Sequence, residues 1–392
     1  MENYRSLPDA LVTKILVRLP VESLARFKCV RKNWYWLITT SSFVREHLNH
    51  LEKNPTRLLL HFRDIPSQSS TSLLLPEKIL PGVISLHEKP SYLQIPAQLT
   101  EIIGPVDGIY FLYKKLSSDN RMALWNPTLR EFRPLPPYNI KISMPRGYFR
   151  YIFGFGFDPL SQVYKVVYVM IFCNLEEWNN DRVFAAVYSL GKDCWRNLAC
   201  RFDNRVPSCM ENSLCSTCVN GVYYWSTLSS GAIAFQPLLL IRYFNMQNEV
   251  FGEIPGPKIS CVIDGLITLY KESIALLVRN DTDDFIFAYQ IDVWLMSNER
   301  SWTKVLNVVP TIPNSCPIGL WGHDKIILYS EDEALVIYDS KTHEITRLLD
   351  SKIYGRRWAL SYKESLVSIK SKNIRHKQSS IFDLIQEFFK DE

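Results

Sequence analysis

The side chains best suited to binding a metal ion are five cysteines in the middle of the sequence. Cys215 and Cys218 form a Cys-x-x-Cys pair, and Cys194, Cys200 and Cys209 precede it. A zinc site needs four converging thiolate or imidazole ligands. No histidine lies in this segment, and the spacing of the three earlier cysteines matches no common zinc module. We therefore expect buried or turn thiols here and no bound metal.

A second group of candidate ligands is the acidic cluster of Asp281, Asp283 and Asp284. Calcium loops of the EF-hand type need further oxygen ligands that this segment lacks, so the pattern predicts a solvated loop. The sequence has no Gly-x-Ser-x-Gly and no His-Glu-x-x-His motif, and Gly154 and Gly156 are too few for a phosphate loop. We predict no catalytic residues and no cofactor.

The composition restricts the class of protein. The 392 residues include 45 Lys and Arg and 40 Asp and Glu, and the resulting net charge of +5 argues against a nucleic-acid partner. The polar start argues against a secretory signal, and the longest apolar run, residues 166–173, is too short to span a membrane. The nine cysteines are an odd number, which suits reduced thiols in the cytoplasm and also the nucleus.

The pattern of residues 7–48 predicts a small helical unit at the start of the chain. Leu11, Ile15 and Leu19 recur at helical spacing after Pro8, and two further helices and one more turn follow. Such a unit holds more apolar residues than its own core can use. These residues either form a docking site for another protein's helices or pack against the following domain.

From about residue 55 the periodicity changes to that of short strands rich in Val, Ile, Tyr, Phe and Trp. No helical pattern alternates with these strands, which argues against a parallel α/β sheet. Units of strands recur roughly every 45–60 residues, and we predict a kelch-like propeller of about six or seven blades. A β-sandwich followed by a second β-domain is the alternative.

Three further patterns concern the ends and turns of this β body. Asn126, Asn245 and Asp339 each follow an aromatic residue and are predicted to cap a tight turn through their side chains. Residues 358–362 and 365–369 are predicted to complete the first blade. The tail from residue 379 is predicted to form an amphipathic helix that packs on the body, with partner binding as the alternative.

The helical unit resembles an F-box. The resemblance is carried by Leu7-Pro8, Ile15-Leu16, Arg18-Leu19-Pro20, Ser23-Leu24, Arg26-Phe27-Lys28-Cys29-Val30, Lys32, Trp34, Leu37-Ile38 and Phe43. It implies docking on the Skp-type adaptor of a cullin–RING ubiquitin ligase. The adaptor contacts that it implies are Leu7, Pro8, Ile15, Leu16, Leu19, Pro20, Leu24 and Phe27. It assigns Val30, Trp34, Leu37 and Ile38 to the interior of the motif.

The β body resembles plant F-box-associated domains. The matching segments are Gly104-Pro105-Val106-Asp107-Gly108 and residues 125–132, 153–158, 219–225, 250–255 and 362–368. The helical unit and the Tyr-Lys-Glu-Ser-Leu-Val ending, residues 362–367, are similar to S-locus F-box proteins. The expected fold is therefore α+β and multidomain, with a three-helix F-box in residues 1–50, a mainly-β, kelch-like propeller in residues 51–378 and a C-terminal helix in residues 379–392.

The function expected from this resemblance is that of a non-catalytic substrate receptor in a ubiquitin ligase. The S-locus similarity implies secreted, basic pistil ribonucleases as targets, recognised in pollen during self-incompatibility. We expect the target to bind on loops. The candidate side chains are Glu176, Glu177, Asp181, Asp281, Asp283 and Asp284. The alternatives are a general plant F-box receptor for another protein and a propeller enzyme, such as a glycosidase or lactonase, which would need clustered acidic or metal-binding residues.

Overall fold

The computed structural model describes most of the chain. The described residues are 7–51, 57–63, 70–75, 95, 101–115, 120–138, 147–174, 182–199, 216–230, 237–259, 264–270, 273–281, 289–308, 315–322, 324–330, 335–349, 356–370 and 381–390.

Four helices form the unit that we call the head: α1 (Asp9–Leu16), α2 (Val21–Phe27), α3 (Lys32–Thr39) and α4 (Ser41–Leu51). Pro8 and Pro20 stand immediately before α1 and α2 in extended conformation. A proline is tolerated there because the first amides of a helix have no partner within the helix. The sequence predicted one further turn after the third helix, and the structure has in its place the 11-residue helix α4.

The described strands form six sheets. Blade 1 contains β1 (Arg57–Arg63), β2 (Ser70–Leu75) and β23 (Arg356–Tyr362). Blade 2 contains β3 (Glu101–Val106), β4 (Ile109–Lys115), β5 (Asn120–Asn126) and β6 (Glu131–Pro134). Blade 3 contains β7 (Gly147–Asp158), β8 (Val163–Asn174), β9 (Arg182–Ser189) and β10 (Cys194–Leu198).

Each of the other three blades also contains four strands that are consecutive in the chain. Blade 4 contains β11 (Ser216–Val219), β12 (Val222–Ser230), β13 (Pro237–Asn245) and β14 (Val250–Pro255). Blade 5 contains β15 (Asp264–Tyr270), β16 (Ser273–Asp281), β17 (Tyr289–Met296) and β18 (Trp302–Val308). Blade 6 contains β19 (Cys316–Trp321), β20 (Lys325–Tyr329), β21 (Leu335–Asp339) and β22 (Ile345–Leu349).

The six sheets form a closed ring. The innermost strands β23, β3, β7, β11, β15 and β19 contact one another in that order, and β19 contacts β23 again. β1 pairs antiparallel with β23, from Arg57 opposite Tyr362 to Arg63 opposite Arg356. This pairing confirms the predicted propeller, fixes six blades, and excludes the sandwich. It also confirms that residues 358–362 complete the first blade, whereas residues 365–369 are not a strand.

The two ends of the ring differ. Neighbouring strands in every blade are antiparallel, so the turns after the first and third strands leave one end and the connections after the second strands leave the other. Leu129, between β5 and β6, and Leu366, after β23, belong to the same apolar cluster as Leu16 and Leu24 of the head. We call this end the head face and the opposite end the far face.

The predicted capped turns lie on the head face. The side-chain oxygen of Asn126 accepts hydrogen bonds from the backbone N–H of Thr128 at 3.0 Å and Leu129 at 3.2 Å. Asn245 and Asp339 make the equivalent pairs of bonds in blades 4 and 6. All three therefore act as the sequence predicted, each at the end of the third strand of its blade.

The tail forms the helix α5 (Ile381–Phe388), which packs on the propeller as predicted. The rings of Phe388 and Phe132 lie edge to face with 5.5 Å between their centroids. The Arg121 guanidinium donates to the backbone oxygen of Phe388 at 2.7 Å. Within the described residues, no helix has the length and apolar character that crossing a membrane requires.

Candidate docking surfaces

The head carries an exposed apolar stripe along α1. Leu7, Leu11 and Ile15 are 58%, 47% and 51% exposed. Leu11 and Ile15 are four residues apart within α1 and therefore lie on the same side of that helix, and Leu7 lies two residues before the helix begins. Pro8 is exposed beside them. Exposed apolar side chains that adjoin one another mark protein interaction sites more often than scattered ones do.

The predicted contact residues of the head fall into two groups. Leu7, Pro8, Ile15 and Pro20 are exposed, and Leu19 and Phe27 are half-buried, so all six can reach a partner surface. Leu16 and Leu24 are buried in the head's own core, where they support the exposed residues from beneath. Their side chains are therefore interior in this structure, although the sequence placed them at the contact.

The interior residues of the head also differ in one place from the prediction. Ile38 is fully buried, and Trp34 and Leu37 are half-buried, with the Trp34 ring 5.4 Å from that of Phe27. Val30 is 59% exposed, so its predicted interior position is wrong. It lies in the turn between α2 and α3, and this position faces solvent.

The sequence did not single out two exposed aromatic residues of the head. Tyr35 and Trp36 of α3 are 47% and 68% exposed, and their rings lie edge to face at 5.8 Å. Trp34, Leu37 and Ile38 occupy the other side of the helix and pack on the head. The helical spacing of those three could have placed Tyr35 and Trp36 outside, because neighbouring positions on a helix point in different directions.

The head contacts the propeller through Arg45 of α4. Its guanidinium forms an ion pair with Asp107 at 3.1 Å and lies 4.4 Å from the centre of the Phe157 ring. The Tyr164 hydroxyl donates to the same Asp107 carboxylate at 2.7 Å. Burial, followed by the neighbouring Asp107 charge, raises the pKa of Tyr164 well above its ordinary value, so this hydroxyl stays protonated as the donor. Arg45 therefore ties α4 to blades 2 and 3.

A buried ionic cluster joins blades 3 and 4 on the same face. The Lys165 ammonium donates to Asp158 at 2.8 Å, to Glu249 at 2.9 Å and to the backbone oxygen of Met246 at 2.6 Å. Burial opposes ionisation of Asp158, but hydrogen bonds from Lys165 and Ser161 outweigh it and lower the pKa to about 2. Arg196 completes the cluster through Glu249. These charges neutralise one another and serve the structure.

The described strands that flank the two segments proposed for target binding end at the far face. β8 ends at Asn174 and β9 begins at Arg182, so the connection between them leaves the end of the propeller opposite the head. β16 ends at Asp281, at the same end of blade 5. The remaining candidates lie outside the described residues: Glu176, Glu177, Asp181, Asp283 and Asp284.

The cysteines do not converge in the described part of the chain. Cys194 is exposed on β10, and burial raises the pKa of Cys218 on β11 to about 12, which keeps its thiol protonated and a poor metal ligand. Cys200, Cys209 and Cys215 lie outside the described residues. Among those described, no three His, Cys, Asp or Glu side chains are grouped as a metal site requires.

Comparison with known proteins identifies the family to which the propeller is similar. Residues 67–377 match the family described as F-box associated beta propeller domain. An F-box/kelch-repeat protein of Arabidopsis thaliana is 25% identical over 384 residues, covering 94% of this chain and 97% of the relative. Two more Arabidopsis thaliana proteins are similar. The putative F-box only protein 15 is 28% identical over 79% of this chain and 76% of its own length, and F-box protein CPR1 is 25% identical over 85% and 79%.

Proposed function

This chain belongs to the plant F-box proteins that carry an F-box-associated β-propeller domain, and we propose that it is the substrate-recognition subunit of a cullin–RING ubiquitin ligase. Membership of the family implies two protein partners, a Skp-type adaptor and a target. The separation of two surfaces carries the proposal: the apolar stripe of α1 lies on the head, and the far face of the propeller points away from it.

The head is the adaptor-binding part, residues 1–50 in the proposed domain division. Leu7, Pro8 and Ile15 contact the adaptor, and Leu19, Pro20 and Phe27 extend that surface towards α2. Fully burying a leucine or isoleucine is worth about 1.5–3 kcal/mol relative to exposure. The adaptor connects the head to the cullin and RING subunits.

The propeller, residues 51–378, holds the target, and residues 379–392 brace it. Ubiquitin transfer is then catalysed by other subunits, and this chain is non-catalytic. It acts by raising the effective concentration of target lysines near the ligase, which needs only simultaneous binding at two ends. The chain works in the cytoplasm and the nucleus, where its cysteines stay reduced.

For the target we propose a secreted, basic ribonuclease of the pistil, taken up by the pollen tube. The similarity of residues 362–367 and of the head to S-locus F-box proteins supports this choice. The acidic candidates Glu176, Glu177, Asp181, Asp281, Asp283 and Asp284 would complement a basic partner. A general plant F-box receptor for a different protein is the alternative, and the F-box names of the relatives support it equally well.

Adaptor binding is tested by co-purification of the full chain with a Skp-type adaptor. The variant Leu7→Ala/Pro8→Ala/Ile15→Asp should lose the adaptor while its circular dichroism spectrum stays unchanged. Leu160→Asp is the matched control, because Leu160 is 75% exposed but lies in a propeller turn. Adaptor binding by the triple variant at the wild-type level would overturn the proposal.

Target choice is tested by exchanging residues 174–182 for those of a relative. The exchange should change which pistil ribonucleases are retained and leave adaptor binding intact. Exchange of residues 159–162, on the head face, is the control. Binding of another plant protein by the wild-type chain, with no ribonuclease retained, would establish the general receptor instead.

A further inference from the structure

The residues that follow the last strand, β23, also have a structural role. After β23, residues 363–370 cross the head face without joining any sheet among the described residues. We call this segment the strap. Ser365, Leu366 and Ile369 are 0%, 3% and 1% exposed, values typical of a core. An irregular segment buried this deeply must satisfy its backbone through side chains.

The strap caps a helix of the head. The Glu364 carboxylate accepts a hydrogen bond from the backbone N–H of Val21 at 3.2 Å. Val21 is the first residue of α2, and the preceding residue, Pro20, provides no side-chain cap. Glu364 also forms an ion pair with Arg57 of β1 at 3.6 Å. One carboxylate therefore connects the start of α2 to blade 1.

The strap also fills the core of the head. Leu366 belongs to the apolar cluster of Leu16, Val21, Leu24, Ile38 and Phe43. The other buried members of this cluster all come from the head, so Leu366 is the buried core residue that the rest of the described chain contributes. A head of four short helices buries little surface alone, and one large side chain is a substantial fraction of it.

Blade 2 fixes the position of the strap. The Asn126 amide donates to the backbone oxygens of Ser365 at 3.3 Å and Val367 at 2.8 Å, on either side of Leu366. The Glu131 carboxylate accepts from the Ile369 N–H at 2.8 Å and from the Ser368 hydroxyl at 2.9 Å. Leu366 is therefore held in place by the same blade whose first strand, β3, contacts β23.

From these contacts we propose that the strap makes the fold of the head depend on closure of the propeller. Until β23 pairs with β1, the head lacks both its Leu366 core residue and the Glu364 cap on α2. The head then presents its exposed stripe in the right form only on a closed propeller. The consequence for adaptor binding rests on the function proposed above.

Hydrogen exchange of the full chain, followed by mass spectrometry, tests the proposal. Leu366→Ala should lower the protection of amides in residues 9–51 by at least about tenfold, because it removes core contacts from the head. Leu277→Ala is the matched control. Leu277 is equally buried but lies in blade 5, and its loss should lower protection there and leave the head unchanged.

Glu364→Met keeps most of the packing and removes both the acceptor for the Val21 N–H and the ion pair with Arg57. It should lower head protection by about threefold, with the strongest effect in α2. This variant decides the question if Leu366→Ala fails to fold. Head protection equal to the wild type in a folded Leu366→Ala chain, or in Glu364→Met, would overturn the proposal.

Adaptor affinity separates this proposal from the function. Leu366→Ala should weaken adaptor binding although Leu7, Leu11 and Ile15 are unchanged. If the wild-type chain binds no adaptor, the proposed function fails, while the exchange pattern still decides whether the strap supports the head.

Discussion

Gly108 lies directly beneath Ser365, with no space for a side chain between the two segments. A Cβ on Gly108 would also lie 2.8 Å from the backbone oxygen of Lys363. Gly108 has φ of +78°. The turn between β3 and β4 therefore requires glycine at this position for two reasons, the left-handed backbone conformation and the close passage of the strap.

Gly108→Ala should therefore destabilise the protein more than a Gly→Ala substitution at a left-handed position usually does. Gly322→Ala is the matched control, because Gly322 has φ of +65° and nothing lies within 4 Å of its added Cβ. We expect about 1–2 kcal/mol from conformation alone at Gly322, and a further loss of about 1–3 kcal/mol at Gly108 from overpacking. Urea unfolding measures both, and equal losses would contradict the close passage of the strap.

Asn126→Asp should destabilise the strap, because it replaces the amide that donates to Ser365 and Val367 with a second acceptor. Leaving these partners unsatisfied costs about 1–3 kcal/mol. Asn245→Asp is the control: Asn245 holds the equivalent turn in blade 4, and Asp339 already occupies that position in blade 6. Thermal unfolding compares the two variants, and an equal decrease in Tm would refute the assigned role of the Asn126 amide.

Lys165→Met should destabilise the contact between blades 3 and 4. It leaves the carboxylates of Asp158 and Glu249 without their shared ammonium, and breaking a buried pair costs about 3–5 kcal/mol. Lys341→Met is the control, because Lys341 pairs with Asp324 on the surface and is 72% exposed. Urea unfolding should show a large effect for the first variant and none for the second.

The stability of the head should fall as the pH falls below about 6.5. His47 is fully buried, its Nε2 lies 2.9 Å from the backbone oxygen of Leu19, and its Nδ1 has no partner among the described residues. Burial lowers the pKa of His47, assisted by His50 and opposed by the Leu19 oxygen and by Glu364. Below the pKa of the unfolded state, the unfolded chain binds a proton at His47 more readily than the folded chain does. The stability that neutral His47 contributes is therefore fully present above that pKa and is lost as the pH falls below it.

Hydrogen exchange of residues 9–51 at pH 7.5 and 5.5 measures this dependence. His47→Gln should reduce it, because the titrating group is gone, while His50→Gln should leave it in place. The same decrease in protection for wild type and His47→Gln would show that another group controls the response.

The turn repeat shows how far the sequence could predict the propeller. Asn126, Asn245 and Asp339 were recognisable because their side chains make the turn. Five blades share a further feature, a non-glycine residue with positive φ just before the fourth strand: Arg130, Asp193, Glu249, Arg300 and His343. These residue types differ in chemistry, and the turn itself sets the conformation, because each residue donates its backbone N–H to an oxygen three or four positions earlier. The residue types alone therefore could not reveal it.

The head was less predictable, for a different reason. The resemblance to an F-box placed Ile38 in the interior and Ile15 at the surface, and the structure agrees on both positions. The resemblance could not place Leu24, whose neighbour Leu366 lies at the other end of the sequence. Residues 362–368 lie at the junction of head and propeller, where Ser365 and Leu366 are buried.

The distance along the chain between Val21 and its cap has a consequence for synthesis. The two residues are 343 positions apart. At about 5–20 residues per second, a ribosome adds Glu364 roughly 17–70 s after Val21. If the strap completes the head as proposed, the nascent head lacks its Leu366 core contact and the cap on α2 during that interval, and we expect chaperones to bind it while the blades are translated.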